Sequence, residues 1–194
     1  MPPISPSVTI APDVTMPLVG LGTWQADGDD AYRAVVDALE IGYRHIDTAT
    51  GYRNEDQVGR ALRDGGVARS EVFVTTKLPP DAAGHERETL EASLRLLGVD
   101  FVDLWLVHWP PAGEARPDVW SKVLGLRDEG LARAVGVSNY SPAQIDELVT
   151  ATGIAPAVNQ IKWGPELYDA ALVDDHSTRG VVLEGYSPFK TTDL

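Results

Sequence analysis

The sequence predicts an α/β fold in which short parallel strands alternate with helices, and it favours a β/α barrel over a doubly wound sheet. Three observations predict this fold. Apolar, β-rich runs alternate with amphipathic runs along most of the chain. The runs recur at the spacing of repeated β-α units. Polar residues follow nearly every strand, as in a barrel, whereas a doubly wound sheet gathers them at one switch point.

The strands of the predicted barrel are preceded by a small hairpin. Residues 8–10 and 16–19 flank the turn signal of Pro12 and Asp13 and predict this hairpin. Seven runs rich in Val, Leu and Ile then fit a parallel sheet that is covered on both faces. These predicted strands are residues 18–21, 44–47, 72–76, 101–107, 132–137, 157–161 and 181–186.

Six helices are predicted between the strands, because apolar residues recur there at helical spacing. Ser141 before Pro142 is a strong N-terminal signal for one of them. Glycines at positions 42, 66, 98, 130 and 153 lie where helices are expected to end. The predicted helices are residues 30–41, 55–64, 86–97, 117–129, 142–151 and 167–178.

Composition and charge exclude several classes of protein. The 194 residues are 43% hydrophobic and 23% charged, and without a linker-like tract residues 1–194 are predicted to form a single domain. The absence of cysteine excludes disulfides and thiolate catalysis. A net charge of −13 argues against nucleic-acid and anionic-membrane partners. Without a signal peptide or a long apolar run, a cytoplasmic protein is expected.

Polar side chains follow each predicted strand from the second to the seventh. In a barrel these strand ends meet at one face, where the chemistry of such folds is found. The residues at these ends are Asp47 with Tyr52, Lys77, His108 with Trp109, Ser138 with Asn139, Asn159 with Gln160, and Tyr186 with Ser187. Each of them alone has a plainer explanation, such as a surface ion pair or a turn, but the ordered set favours a functional site.

Four of these residues suit proton transfer to a carbonyl oxygen, namely Tyr52, Lys77, Asp47 and His108. A lysine about 4 Å away stabilises a phenolate by roughly 4 kcal/mol at an effective dielectric of about 20, which brings a tyrosine pKa close to 7. Asp47 would keep Lys77 protonated, and neutral His108 would donate a hydrogen bond to the carbonyl. Because none of these groups is a reductant, a bound hydride donor is expected.

Other catalytic motifs are absent from the sequence. It contains no GxGxxG, no GxxxxGK[ST] and no GxSxG motif. Its four histidines lack metal-ligand spacing, so no metal site is expected. His85 and His176 are expected to face solvent, and Trp120 and Trp163 to serve in packing.

Six short motifs follow one another from about Gly20 to Phe189. They are GYRHIDTA at residues 42–49 with Tyr52 and Asn54–Glu55, TTKL at 75–78, LVHWP at 106–110, GVSNY at 136–140, NQ at 159–160 and GYSP at 185–188. In this order they resemble the signature of the aldo-keto reductase family, and of its bacterial 2,5-diketo-gluconate reductase-like members in particular. After Gln160 the chain departs from the family pattern, with Lys162, Trp163 and Gly164–Pro165.

The resemblance implies a (β/α)8 TIM barrel of the aldo-keto reductase type, of which seven strands are visible in this chain, with the N-terminal hairpin closing its bottom. It implies reduction of small aldehydes or ketones to alcohols by hydride transfer from NADPH, with NADH as an open alternative, in a monomeric oxidoreductase. Tyr52 is then the proton donor, which Lys77 and Asp47 tune, and His108 orients the carbonyl.

The resemblance also assigns a cofactor site and a substrate pocket. The expected cofactor-binding residues are Gly22, Thr23, Asp47, Ser138, Asn139, Gln160, Tyr186, Ser187, Phe189 and Thr191. The expected substrate-binding residues are Trp24, Tyr52, His108 and Trp109. The three side chains Ser138, Asn139 and Gln160 are expected to hold the nicotinamide carboxamide, and Tyr186 to stack on the ring.

The family pattern continues with an eighth β-α unit and C-terminal helices that are not in this chain, which is therefore expected to be C-terminally incomplete. The first and seventh strands would keep unpaired edges, which favour association. A fragment of a longer protein is the favoured explanation, and a swapped oligomer or an impaired relative stays open. The corresponding alternative function is a non-catalytic cofactor-binding or assembly subunit. A Schiff-base aldolase using Lys77 would leave Tyr186 and the amide side chains without a purpose.

Overall fold

The structure, a computed structural model, describes residues 5–189. An antiparallel hairpin of β1 (Ser7–Ala11) and β2 (Val14–Pro17) precedes a seven-stranded parallel sheet. The sheet follows chain order from β3 to β9, as an alternating β/α barrel requires. Its strands are β3 (Leu21–Gly22), β4 (His45–Asp47), β5 (Phe73–Leu78), β6 (Val102–Val107), β7 (Ala132–Ser138), β8 (Val158–Lys162) and β9 (Val182–Tyr186).

Six helices connect the strands, as the sequence predicts. They are α1 (Gly28–Ile41), α2 (Glu55–Asp64), α3 (Glu86–Leu97), α4 (Pro117–Asp128), α5 (Pro142–Thr152) and α6 (Ala170–Thr178). Ser141 and Gln144 form a reciprocal capping box at the start of α5. The predicted start of α6 at Leu167 is wrong, because Leu167 lies in a short 3-10 turn and the side chain of Asp169 caps the helix by accepting from the backbone N–H of Ala171.

Two hydrophobic clusters place the hairpin and the helices around the sheet. The larger cluster packs the helices against the outer face of the sheet, and it contains the buried side chains of Trp105 and Trp120. The smaller cluster joins Ile10, Val14 and Met16 of the hairpin to inward-facing strand residues such as Leu104. The hairpin therefore closes the end of the barrel interior at which the strands begin, and the end at which they finish stays available for a site.

The first strand of the sheet is shorter than predicted and begins later. Leu18 and Val19 are exposed and lie before the strand, which consists of Leu21 and Gly22. The backbone N–H of Leu18 donates to the carbonyl of Pro6, so this part of the chain extends the hairpin. Within residues 5–189, β3 pairs with β4 alone and β9 with β8 alone, which leaves these two edges of the sheet unpaired.

The prediction that His176 faces solvent is wrong, whereas His85 is exposed as expected. His176 lies on the inner side of α6, with Nδ1 2.7 Å from the carbonyl of Leu172. Its Nε2 is 2.9 Å from the side-chain nitrogen of Asn159, which also donates to the carbonyl of Tyr140. These partners satisfy the hydrogen-bonding groups of the buried ring and tie α6 to β8. No helix among residues 5–189 has the length and apolarity to cross a membrane.

Candidate active site

A cavity of about 630 Å³ opens where the parallel strands end. Every strand of the sheet except β5 contributes a lining residue at or near its end, which is why residues far apart in the sequence meet there. The lining residues are Gly22, Trp24, Asp47, Gly51, Tyr52, His108, Trp109, Ser138, Asn139, Gln160, Tyr186, Ser187 and Pro188. Gly51 and Pro188 were missed by sequence reasoning, although each adjoins a residue that the motifs single out.

Three described residues that were predicted for the site lie outside this lining, namely Lys77, Thr23 and Phe189. Lys77 is completely buried behind Asp47 and Tyr52. Thr23 is also buried, and its backbone N–H and hydroxyl both donate to the carbonyl of Asp47. Phe189 is largely exposed. Thr191 lies outside the described residues.

Asn54 is the residue before α2, and its side chain bonds to the loops around the site. The amide does not cap α2. Instead its nitrogen donates to the carbonyls of Thr23 and Ala26, and its oxygen accepts from the hydroxyl of Thr48. These bonds tie the loop after β3 to the segment after β4. The 3-10 turn Thr50–Tyr52 is thereby held over the strand ends, and it carries Tyr52 into the cavity.

The buried ammonium of Lys77 is the centre of the polar cluster. Its Nζ lies 2.5 Å from Asp47 Oδ1, 3.0 Å from the carbonyl oxygen of Thr48 and 3.4 Å from Tyr52 Oη. Three acceptors thus match the three donors of an ammonium group. Burial alone would lower the pKa of Lys77, but the neighbouring Asp47 and Tyr52 outweigh it and hold that pKa above its ordinary value. Lys77 is therefore a cation at neutral pH.

The pKa of Tyr52 contradicts the expectation of a value close to 7. Burial of the phenol is the largest effect and raises this pKa; Lys77 lowers it, and Asp47 raises it again. The net result is a pKa above the ordinary tyrosine value, because loss of solvation outweighs the attraction of one partly neutralised ammonium. Tyr52 is consequently a protonated phenol at neutral pH. Since Lys77 donates to the phenol oxygen, the phenol hydrogen is left for an acceptor in the cavity.

His108 faces Tyr52 edge to face across the cavity, with ring centroids 5.7 Å apart. Its backbone is fixed on both sides, because its N–H donates to the carbonyl of Leu78 and its carbonyl accepts from Asn139 Nδ2. Burial, aided by Lys77 and opposed by Asp47, lowers the pKa of His108 to about 4. A neutral imidazole donates one hydrogen bond, which suits the positioning of a carbonyl oxygen.

We expect His108 to remain neutral from pH 8 down to about pH 5. Its folded-state pKa is depressed below the ordinary histidine value, so the free energy that this group contributes to folding is present above about pH 6.5 and is lost as the pH falls towards 4. A proton NMR titration of the histidine rings, with His108→Gln to identify the resonance, measures this pKa. A midpoint above pH 6 for His108 would contradict the prediction.

A chain of side chains links Tyr186 to the buried ion pair. The Tyr186 hydroxyl donates to Asn139 Oδ1, and Asn139 Nδ2 lies 2.9 Å from Ser138 Oγ, which donates to the backbone carbonyl of Gln160. Gln160 Nε2 in turn donates to Asp47 Oδ2 over 3.1 Å. Asn139 has a left-handed backbone with a φ of 64°, a conformation that asparagine tolerates better than most residues.

This arrangement fits a flat aromatic amide such as nicotinamide. The hydroxyl of Ser138 and the amides of Asn139 and Gln160 supply both donors and acceptors along one wall, and the half-buried ring of Tyr186 lies beside them. The lining formed by residues 5–189 includes no lysine or arginine, so it holds no cationic side chain for a phosphate. The described cavity is therefore suited to the reacting end of a dinucleotide.

Comparison with known sequences gives a consistent set of relatives. The profile of the Aldo/keto reductase family matches residues 18–193. An aldo-keto reductase of Mycolicibacterium smegmatis is 44% identical over 188 residues, which cover 95% of this chain and 68% of the relative. The methylglyoxal reductase DkgA of Salmonella typhimurium is 42% identical over 174 residues, covering 89% and 63% of the two chains. The glycerol 2-dehydrogenase (NADP(+)) of Saccharomyces cerevisiae is 41% identical over 207 residues, covering 92% and 66%.

Solved structures agree with the sequence comparison. An aldo/keto reductase from Brucella melitensis superposes with a TM-score of 0.91 at 36% identity, over 96% of this chain and 74% of that one. An aldo-keto reductase of Bombyx mori in complex with NADP superposes with a TM-score of 0.87 at 37% identity, over 95% and 67%. This chain thus spans about two thirds of the length of several relatives that it matches.

Proposed function

Because this chain belongs to the aldo/keto reductase family, we propose that it reduces small aldehydes or ketones to alcohols with NADPH, using Tyr52 as the proton donor. One observation carries the proposal. The protonated phenol of Tyr52 faces neutral His108 in the cavity while buried Lys77 donates to its oxygen. The same cavity wall carries the side chains that suit a nicotinamide amide.

In a carbonyl reduction, each of the described polar residues would have a separate role. Bound NADPH would supply the hydride for the carbonyl carbon. His108 donates a hydrogen bond that places the carbonyl oxygen next to Tyr52, and Tyr52 gives its hydroxyl proton to that oxygen as the carbonyl π bond breaks. The ammonium of Lys77, held by Asp47, then stabilises the phenolate until a solvent proton restores the phenol.

The residues proposed to hold the cofactor are Ser138, Asn139 and Gln160, which we call the amide wall, together with residues at neighbouring strand ends. Ser138, Asn139 and Gln160 would hold the carboxamide, and Tyr186 would pack on the ring. Gly22, Asp47 and Ser187 border the same cavity and remain candidates for the ribose and pyrophosphate. The exposed rings of Trp24 and Trp109 flank the opening and would contact the substrate.

Two other functions are less well supported. A Schiff-base aldolase needs a neutral lysine nucleophile, but Lys77 is held protonated by three acceptors. Nothing in the described residues favours an impaired cofactor-binding relative, and Tyr52, Lys77, Asp47 and His108 lie together there. A single domain, a cytoplasmic location and a monomeric state are part of the same proposal, and native mass spectrometry tests the last of these.

The direct test is an assay of the purified chain. Binding is followed by quenching of tryptophan fluorescence on addition of NADPH, and turnover by loss of NADPH absorbance after addition of methylglyoxal or an aromatic aldehyde. We expect saturable binding and aldehyde-dependent oxidation of NADPH. Binding without turnover of any carbonyl would favour the non-catalytic alternative, and the absence of both would overturn the proposed function.

A further inference from the structure

Glu184 is a buried acid next to the proposed site, and the mechanism above gives it no role. It lies on β9 in register with Gln160 of β8. Although the residue as a whole is only partly buried, its Oε2 atom is sealed from solvent and has no hydrogen-bond partner within residues 5–189. A buried carboxylate oxygen without a partner is costly, so its retention calls for an explanation.

The groups that face Glu184 come from three other strands. They are the carboxylate of Asp47 on β4, the ammonium of Lys77 on β5 and the side-chain amide of Gln160 on β8, which is in register with Glu184. Strands β4 and β9 are not neighbours in the sheet. The Glu184 side chain therefore points into the barrel interior, below the cavity lining to which Gln160 belongs.

Two acidic side chains thus border one amide. Gln160 Nε2 donates to Asp47 Oδ2, and the carboxyl of Glu184 approaches the same amide from β9. An ionised carboxylate only accepts hydrogen bonds, so the NH₂ group of Gln160 must face both acids. The amide oxygen is then turned away from them. Since Gln160 lines the cavity, its oxygen is available to an N–H donor there.

We propose that Glu184 is a positioning residue that acts together with Asp47 to fix the Gln160 amide, so that its oxygen accepts a hydrogen bond from the carboxamide NH₂ of the nicotinamide cofactor. This inference rests on the proposed function. Recognition of the carboxamide would then depend on the Glu184 carboxylate, which acts through Gln160 and does not touch the cofactor.

Protonation of Glu184 would remove this constraint. Burial raises the pKa of the Glu184 carboxyl to about 7; Asp47 adds to this effect, and Lys77 and Gln160 oppose it. A protonated carboxyl carries an O–H donor that can bond to either orientation of the amide. Discrimination in favour of a cofactor with a carboxamide NH₂ should therefore weaken as the pH falls from 8 to 6.

The test compares NADP⁺ with its 3-acetylpyridine analogue, which replaces the carboxamide NH₂ by a methyl group. Dissociation constants are measured by tryptophan fluorescence at pH 8 for the wild type, for Glu184→Gln and for Glu88→Gln, which removes an exposed carboxylate on α3. We expect Glu184→Gln to weaken NADP⁺ binding about tenfold, the effect of roughly one charged hydrogen bond. Binding of the analogue should change less than twofold, and Glu88→Gln should leave both constants unchanged.

Two results would overturn this inference while leaving the proposed function intact. One is unchanged NADP⁺ affinity in Glu184→Gln, and the other is an equal loss for NADP⁺ and the analogue, which would indicate a merely structural role. A wild type that neither binds NADP⁺ nor reduces a carbonyl would instead overturn the proposed function itself.

A stability measurement shows whether Glu184→Gln is folded and tests the buried acid independently. Because the folded-state pKa of Glu184 is raised above that of the unfolded chain, the native wild type binds more protons between about pH 4.5 and 7 and loses stability as the pH rises through this range. Glu184→Gln should therefore gain thermal stability relative to the wild type from pH 5 to pH 8. If the variant does not fold, the wild type alone decides the proposal. The dissociation constants of NADP⁺ and of its 3-acetylpyridine analogue are then measured at pH 8 and at pH 6. A ratio of these two constants that does not change with pH contradicts the proposal.

Discussion

Tyr52→Phe is expected to lower kcat for aldehyde reduction about 10²- to 10⁴-fold, the range typical of a lost general acid. The substitution removes the hydroxyl that Lys77 contacts and leaves the ring that packs against His108. Affinity for NADPH should change little, because the amide wall that is proposed to hold the cofactor is untouched. Steady-state kinetics gives kcat, and tryptophan fluorescence gives the dissociation constant.

Tyr32→Phe is the matched control for this experiment. The Tyr32 hydroxyl donates to Asp64 at the protein surface, and neither residue lines the cavity, so the loss of this hydroxyl should leave kcat unchanged. Full activity of Tyr52→Phe would remove the proposed proton donor. A loss of NADPH binding as large as the loss of kcat would also contradict the assignment, since it would indicate damage to the cofactor site.

Lys77→Met is expected to cost roughly 3–5 kcal/mol of the free energy of unfolding and to abolish most of the activity, because it breaks a buried ion pair by removing one partner. The substitution leaves the Asp47 carboxylate, whose side chain is 13% exposed, without its cation. It also removes the charge that is proposed to stabilise the Tyr52 phenolate. Urea denaturation measures the loss of stability, and the reductase assay measures the loss of activity.

The double variant Lys77→Met with Asp47→Leu separates the two effects. Replacing both charges by apolar groups avoids a buried unpaired carboxylate, so much of the lost stability should return. Activity should not return, because the stabilising ammonium is still absent. Recovery of activity in the double variant would show that Lys77 serves folding alone. Arg87→Ala, which breaks an exposed ion pair with Glu129, should change neither stability nor turnover appreciably.

The order of the elements and the face that carries the site follow from the sequence. Continuous apolar runs and helical apolar patterns place strands and helices to within a few residues, and α2 and α3 match the predicted bounds at both ends. The predicted bounds of strands and helices are wrong where tertiary contacts decide where an element begins or ends. Strand β3 begins only at Leu21 because Leu18, the start of the predicted strand, bonds to Pro6 beside the hairpin, and α6 begins at Ala170 because Asp169 caps it there.

The polar residues at the strand ends are also readable from the sequence, because the C-terminal ends of parallel strands converge at one face of a barrel. The ionisation states of these residues cannot be predicted from the sequence. The attraction of Lys77 for a Tyr52 phenolate can be estimated from residue types, but the opposing loss of solvation depends on what covers the phenol. The same holds for His176, which looks like a surface residue by position and is buried against Asn159.

Tyr52, Lys77, Asp47 and His108 are thus named by the sequence alone, because their order along alternating strands fixes the face at which they meet. The tertiary structure decided their burial, their contacts and the direction of their pKa shifts. It buried the phenol and kept it protonated, held Lys77 among three acceptors, lowered the pKa of His108, and placed Glu184 beneath Gln160. These properties depend on enclosure and on distances between strands far apart in the chain, and local sequence patterns contain neither quantity.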